Sequence, residues 1–294
     1  MNKHTLALLC EGFYSSAAPL SPQTFQYFQS LDMPIMELLG SSETGGPMTA
    51  ALKGTGTKPG SVGRGYPHFE TAILNPNEDG VGEIITRGRN VFMGYIWDEE
   101  KTREVVDDDG FVHSGDLGRK DSDGFFYING RIKEVIITAG GENIAPVPIE
   151  DDIKAELTDI VSQVMVIGDK RKHLSVIITL KTVLDEKNQP TNNLSEDVQQ
   201  WLQDLGSSAT TAKQLIEENN PEVNSFIMDA LKRSNARSVS KASKVQKFMF
   251  APTDFSLTGG ELTPTLKIKR HVVVEKYAKE IEEMYQYDTI SSMW

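Results

Sequence analysis

Asp116 lies in the run HSGDLG, Arg131 follows GFFYING, and Gly140 and Gly141 form a turn in ITAGGEN. A carboxylate carried on a loop after a strand can accept hydrogen bonds from adjacent hydroxyls, such as a ribose diol. As a lone tripeptide, Ser-Gly-Asp marks a turn more often than a site. Upstream, the apolar IMELL at 35–39 ends in GSSETGG at 40–46, the pattern of a buried strand that delivers Glu43 and Thr44 on a polar loop. Downstream, Lys232, Arg233, Arg237, Lys241, Lys244, Lys247, Lys267, Lys269 and Arg270 face only Asp254 and Glu261. Such a basic arm can meet a phosphorylated ligand, and a solvated helix face followed by a loop accounts for most of those lysines equally well.

These residues need a framework. FETAILN, GEIITRG, GFVHSG and GFFYING are short alternating or apolar runs separated by Gly, Asn and Asp turns, which predicts strands. WDEEKTREVVDDDG reads as a short helix with acid at its start and a glycine stop. From Arg131 the texture changes: IKEVIIT reads as a strand, APVPIEDDIKAELTD as a helix, and VSQVMVIGD and HLSVIITLK as two further strands. SEDVQQWLQDLGSSA and PEVNSFIMDALKRSNARSV carry apolar residues at helical spacing, among them Val198, Trp201, Leu202 and Leu205, which are read as core. The last stretch reads as a strand, a loop and an amphipathic helix. This order predicts an α+β chain: a β-rich portion over 1–131 and a smaller α+β domain over 132–294, with the boundary near Gly130 to Lys133.

The bulk numbers exclude several classes. A formal net charge of -12 argues against sequence-independent nucleic-acid binding, which needs a basic surface. Cys10 is the only cysteine, so neither an internal disulfide nor a thiolate zinc site is available, which fits a reducing compartment. The five histidines lack metal-ligand spacing. No apolar run approaches the roughly 20 residues that span a bilayer, and Glu11 cuts short the apolar opening MNKHTLALLC, which is not expected to be a secretion signal.

Taken in order, SSAAPL at 15–20, GSSETGG at 40–46, SVGRGYP at 61–67, GEIITRG at 82–88, HSGDLG at 113–118, GRIKEVIITAGGENIAP at 130–146 and ELTPTLKIKR at 261–270 resemble the adenylate-forming superfamily of acyl-CoA synthetases. GGENIAPVPIE, a long helical insertion from about Lys187 to Lys247, and GGELTPTLKIKR look like its bubblegum-type long-chain fatty acid–CoA ligases. The resemblance runs from about residue 13 onward.

It implies an enzyme that uses ATP and Mg2+ to join a fatty acid carboxylate to AMP and then passes the acyl group to CoA. Residues 1–131 would be the C-terminal remnant of the large AMP-binding domain and 132–294 the small lid domain. By the same resemblance Ala17 and Ala18 would lie along the adenine, Asp116 and Arg131 would hold the ribose, and Thr44 would contact the α-phosphate. Glu43 would help bind Mg2+. Lys267 would bridge the acyl carboxylate and the α-phosphate, with Lys269 a near neighbour in the same motif. Lys133 would be the hinge, and Gly140 and Gly141 would let the CoA pantetheine pass close to the backbone. A cytoplasmic enzyme with peripheral association at the endoplasmic reticulum membrane is implied.

The sequence also departs from the family pattern. The family's phosphate-binding loop is expected upstream of SSAAPL, where these residues hold none. KGTGTKPG at 53–60 has the composition of a phosphate cradle, but it lies directly before SVGRGYP, where the family has a connecting loop, and is not taken for one. Leu39 stands where many relatives have an adenine-stacking tyrosine, and Ser42 replaces a commoner threonine. The expectation is therefore the C-terminal portion of a ligase with impaired chemistry. The alternative is a non-catalytic nucleotide-binding or interaction module that docks on a full-length relative.

Overall fold

Phe13–Ser15 (β1) and Ile35–Ser41 (β2) pair in parallel, so the chain between them must cross over, and the helix Pro22–Ser30 (α1) makes the crossing. The computed structural model describes residues 12–17, 20, 22–238 and 240–290. Ala18 lies outside them. The chain divides into two units between Glu134 and Val135.

In the first unit β2 runs antiparallel to Gly46–Ala50 (β3), which pairs with Arg64–Gly65 (β4). A second sheet is an antiparallel meander of Glu70–Leu74 (β5), Gly82–Arg87 (β6), Val112–Lys120 (β7) and Phe126–Arg131 (β8). One turn design recurs in this meander. Asn77, Asp107 and Asp121 each accept, through one side-chain oxygen, from the backbone N–H two and four residues on, and a glycine at positive φ sits between those donors. Glu99–Val105 (α2) starts at Asp98, whose carboxylate accepts from Lys101 N at 3.0 Å. Met48, Val62, Ile84 and Phe126 form the buried centre, with Leu39, Ile73 and Ile128 packed on it.

The second unit is built on a three-stranded sheet of Val161–Ile167, Leu174–Leu180 and Val245–Phe250, with the middle strand antiparallel to the first and parallel to the third. The middle strand is buried along its whole length, which is why HLSVIITLK reads as one apolar run. From Val164 on in the first strand, and along the middle strand, odd and even residues part. Val164, Val166, Val176 and Ile178 join one core, and Met165, Ile167 and Ile177 join the other. The first core packs under the helices Pro146–Glu156, Glu196–Asp204, Ala212–Glu218 and Pro221–Asn235, and the second under Arg270–Lys276 and Ala278–Ile290.

Two expectations change. IKEVIIT is not one strand: Ile132–Glu134 forms a 3₁₀ turn and only Ile136–Ile137 pairs, with Asn143–Ile144. The backbone there is taken by other partners, since Lys170 N donates to Ile137 O and Ala139 N to Arg171 O. The insertion is also not helical from its start. Thr182–Leu184 and Pro190–Leu194 make a hairpin around Asp185, whose side chain accepts from Lys187 N and Gln189 N, with Asn188 at φ 56°.

Glu150 is 8% exposed and is held by Val166 N at 2.6 Å and by both ends of the Arg270 guanidinium at 2.8 and 2.5 Å. Arg270→Ala should leave that carboxylate without its counter-ion and lower the unfolding free energy by about 3 kcal/mol. Urea denaturation checks it, and a combined Glu150→Gln, Arg270→Met variant should recover most of the loss.

Candidate nucleotide site

β2 ends in a tight turn that fixes Glu43 and Thr44. Thr44 is 1% exposed, and its hydroxyl accepts from Ser41 N at 3.1 Å and donates to Gly46 O at 2.6 Å, so its proton is used within the turn. The segment after β6 clamps the turn from outside: Asn90 Nδ2 donates to Thr44 O at 2.8 Å and Phe92 N to Glu43 O at 2.9 Å.

Tyr95 comes from the same segment. Its hydroxyl donates to Glu43 Oε1 at 2.6 Å. That bond is the largest influence on Glu43 and, with the charge of Arg131 as a lesser one, holds its carboxyl below the usual 4.5 despite partial burial. In return the Tyr95 phenol is pushed up to about 12, chiefly by the same bond. Glu43 is therefore an ionised carboxylate, half-exposed and oriented by a neutral donor. Mg2+ takes that kind of oxygen ligand, since it uses one or two carboxylates and completes its shell with phosphate and water. Tyr95→Phe should return the Glu43 pKa towards 4.5, read by carbon-detected NMR titration, and cost about 1 kcal/mol of stability.

Asp116 and Arg131 are direct cross-strand partners of β7 and β8, with Arg131 Nε 2.9 Å from Asp116 Oδ1. The Asp116 side chain is 8% exposed and that of Arg131 55% exposed, so the arginine anchors the acid while keeping much of its fork in solvent. Glu43, Arg131 and Asp116 thus belong to one neighbourhood of the first unit. Ala17 is exposed in the same unit at φ 73°. Leu20 N donates at 3.0 Å to Oε2 of Glu37, a residue only 5% exposed. Burial pushes the Glu37 carboxyl up, and the Leu20 bond opposes that. Sequence reasoning missed Glu37 and Tyr95. The acid inside the apolar IMELL was the available signal for Glu37, and Tyr95 offered none beyond its place after a glycine.

KGTGTKPG is not a free phosphate cradle. Lys58 Nζ lies 2.7 Å from Asp121 Oδ2 and 2.6 Å from Asp123 Oδ2, which drives the lysine up to about 12 and Asp121 down to about 2. Its charge is already matched. Leu39 packs on the core of the first unit rather than presenting an aromatic face. Among the described residues, no cluster of three or more His, Cys, Asp or Glu side chains could hold a metal.

Lys133 lies exposed in the 3₁₀ turn that precedes the division between the units. In the second unit Gly140 and Gly141 are exposed in a turn closed by Gly141 N donating to Thr138 O at 2.9 Å. Lys267 is exposed on a loop pinned at both backbone atoms: Thr263 N donates to Lys267 O at 2.8 Å, and Lys267 N donates to Thr263 Oγ1 at 3.0 Å. Lys269 is half-buried, and its N–H donates to Glu261 O at 2.7 Å.

The AMP-binding enzyme family matches residues 3–96, and its C-terminal domain family, AMP-binding enzyme C-terminal domain, matches residues 133–220. Two parts of the chain thus match the two domain models of AMP-binding enzymes. It is 46% identical over 94% of its length to the long-chain-fatty-acid–CoA ligase ACSBG2 of Gallus gallus, covering 36% of that protein. Against ACSBG2 of Homo sapiens it is 40% identical over 94% of its length, covering 41%. The chain thus spans well under half of these relatives.

Among solved structures, the adenylation domain of a carboxylate reductase from Mycobacterium chelonae superposes with a TM-score of 0.69 at 20% identity, over 92% of this chain and 38% of that one. ATP-bound MatB from Rhodopseudomonas palustris gives 0.62 at 24% identity, over 91% and 46%. These two share the fold of this chain, in agreement with the α+β reading. No helix of the described residues is long and apolar enough to cross a membrane.

Proposed function

We propose that this chain carries the nucleotide- and CoA-handling part of a long-chain fatty acid–CoA ligase. In the first half-reaction a carboxylate oxygen of the fatty acid attacks the α-phosphorus of ATP, the α–β phosphoanhydride bond breaks, and pyrophosphate leaves. In the second the CoA sulfur attacks the acyl carbonyl, its proton is lost, and AMP departs.

The observation that carries this reading is the Asp116–Arg131 pair, a buried carboxylate beside a half-exposed guanidinium, set close to the ionised Glu43. Two adjacent ribose hydroxyls need an acceptor and a directional donor of this kind. The acyl class is taken from the names of the relatives. Ala17 and Ala18 would lie along the adenine. Glu43 would hold Mg2+, which supplies charge neutralisation on phosphate oxygens. Thr44 would meet the α-phosphate through its backbone, or through its hydroxyl after release from Gly46. Lys267 would offset the approach of two anions, with Lys133 as the hinge and Gly140 and Gly141 alongside the pantetheine. A cytoplasmic setting with peripheral membrane association belongs to the same proposal.

The test gives the purified chain either palmitate, ATP, Mg2+ and CoA, or preformed palmitoyl-AMP and CoA, and follows palmitoyl-CoA by mass spectrometry. Product from either mixture supports the reading, with Gly140→Leu expected to suppress product from the adenylate. Product from neither, with AMP still bound, would favour a non-catalytic nucleotide-binding module instead.

A further inference from the structure

The strand that carries Asp116 is not regular. Glu83 pairs with Leu117 and Ile85 with His113, so one residue of β6 faces Ser114, Gly115 and Asp116 of β7. This bulge turns Asp116 out of the ordinary alternation and leaves it without a partner in the β6–β7 register, while it still pairs with Arg131 of β8. Side chains replace the lost bonds. Ser114 Oγ donates to Ile84 O at 2.6 Å and accepts from Asp116 N at 3.0 Å. Gly115, at φ 70°, donates its N–H to Glu83 Oε1 at 2.9 Å.

The Glu83 carboxylate is itself oriented. Its other oxygen lies 2.8 Å from His113 Nδ1, and His113 Nε2 lies 3.4 Å from Asp107 Oδ2. The imidazole bridges two carboxylates on the strand that makes the bulge. Burial works against its charged form, but Glu83 and Asp107 outweigh burial, so His113 titrates above its ordinary 6.5. Cations of the surrounding elements are engaged with other groups: Arg87 of β6 with Glu70 and Asp109 O, Arg131 of β8 with Asp116, Arg103 of α2 with Glu99, and Lys101 of α2 over the Tyr95 ring.

We propose that Glu83, His113 and Asp107 are a latch that positions Asp116 for nucleotide, and that proton loss from His113 loosens the bulge and weakens binding. The inference rests on the ribose role given to Asp116 above. The sign follows from the chemistry. Below the raised pKa the charged ring donates to both carboxylates and holds Glu83 on Gly115. As pH rises through that value, one donor and the charge are lost.

The experiment measures AMP affinity calorimetrically on the whole chain between about pH 6 and 8, the range in which histidine changes charge. The same samples give the His113 pKa and the Gly115 amide exchange rate by NMR. Affinity should fall about threefold to tenfold across the His113 titration, as charge-assisted bonds become neutral ones. Gly115 exchange should quicken in step, and His113→Gln should remove the pH step. Asp116→Asn should weaken AMP at every pH. If Asp116→Asn weakens AMP while wild-type affinity and Gly115 exchange stay flat across the His113 titration, the latch is wrong and the ribose reading stands. If Asp116→Asn leaves AMP affinity unchanged, the ribose reading and the latch both fall.

Discussion

Lys267→Ala is expected to abolish acyl-AMP formation from palmitate, ATP and Mg2+, with a loss of about 10²- to 10³-fold, the size found when one preorganised charge-stabilising group is removed. Thioester formation from preformed palmitoyl-AMP and CoA should change by less than about threefold, because a group used only in the first transition state lowers only that step. The variant should fold. The lysine side chain is exposed, and the loop is held through the Lys267 backbone by Thr263 and by the isolated bridge of Leu262 with Ile268, none of which needs the side chain.

Lys269→Ala is the internal control. Lys269 also anchors through its backbone, to Glu261 O, but its side chain is half-buried at the start of the helix Arg270–Lys276. It should keep most of the first half-reaction. The two steps are read separately, pyrophosphate release for the first and palmitoyl-CoA by mass spectrometry for the second. An equal loss in both steps, or a larger loss in Lys269→Ala, would move the role away from Lys267.

The meander was legible because its turns are chemical. Asn77, Asp107 and Asp121 close their loops with their own side chains, and a turn so specified fixes the strands on either side. The buried middle strand of the second unit was legible for a different reason, its unbroken apolar run. IKEVIIT was not legible, because its apolar residues satisfy strand periodicity while the partners that capture the Ile137 backbone, Asp169 and Lys170, are distant in sequence. The hairpin before the helical insertion hid in polar residues whose turn is set by one aspartate.

The site divides along the same line. Asp116 and Arg131 could be named from motif order, but that they stand opposite each other across β7 and β8 appears only in the register. The bulge that aims Asp116 could not be seen, because it depends on Glu83 and Ser114 replacing ladder bonds across two strands. Tyr95 was missed for the same reason: its effect on Glu43 exists only after the chain has folded back over β2.

Gly63→Ala should be the most damaging single-methyl change in the first unit. Gly63 sits at φ 84°, and a Cβ there would lie 1.9 Å from Ala50 C, 2.1 Å from Ala51 N and 2.3 Å from Ala50 O. All three are backbone atoms at the end of β3. They cannot retreat without breaking the neighbouring links, Val62 N to Phe126 O at 3.0 Å and Phe126 N to Gly63 O at 2.8 Å, which tie the two sheets around Val62 and Phe126.

The backbone conformation alone costs roughly 1–2 kcal/mol for a non-glycine residue, and the overlap brings the total above about 4 kcal/mol. That is a large share of the roughly 5–15 kcal/mol that holds a typical domain. Gly54→Ala separates the two contributions, since Gly54 has φ 85° but open space where its Cβ would point. It should cost only the conformational part. Hydrogen exchange followed by mass spectrometry makes the comparison. In Gly63→Ala, protection should collapse across β5 to β8 and persist in Val161–Ile167 and Leu174–Leu180, which belong to separate cores. Retained protection in β6 and β8 would mean that the contact at Ala50 relaxes more easily than its backbone character allows.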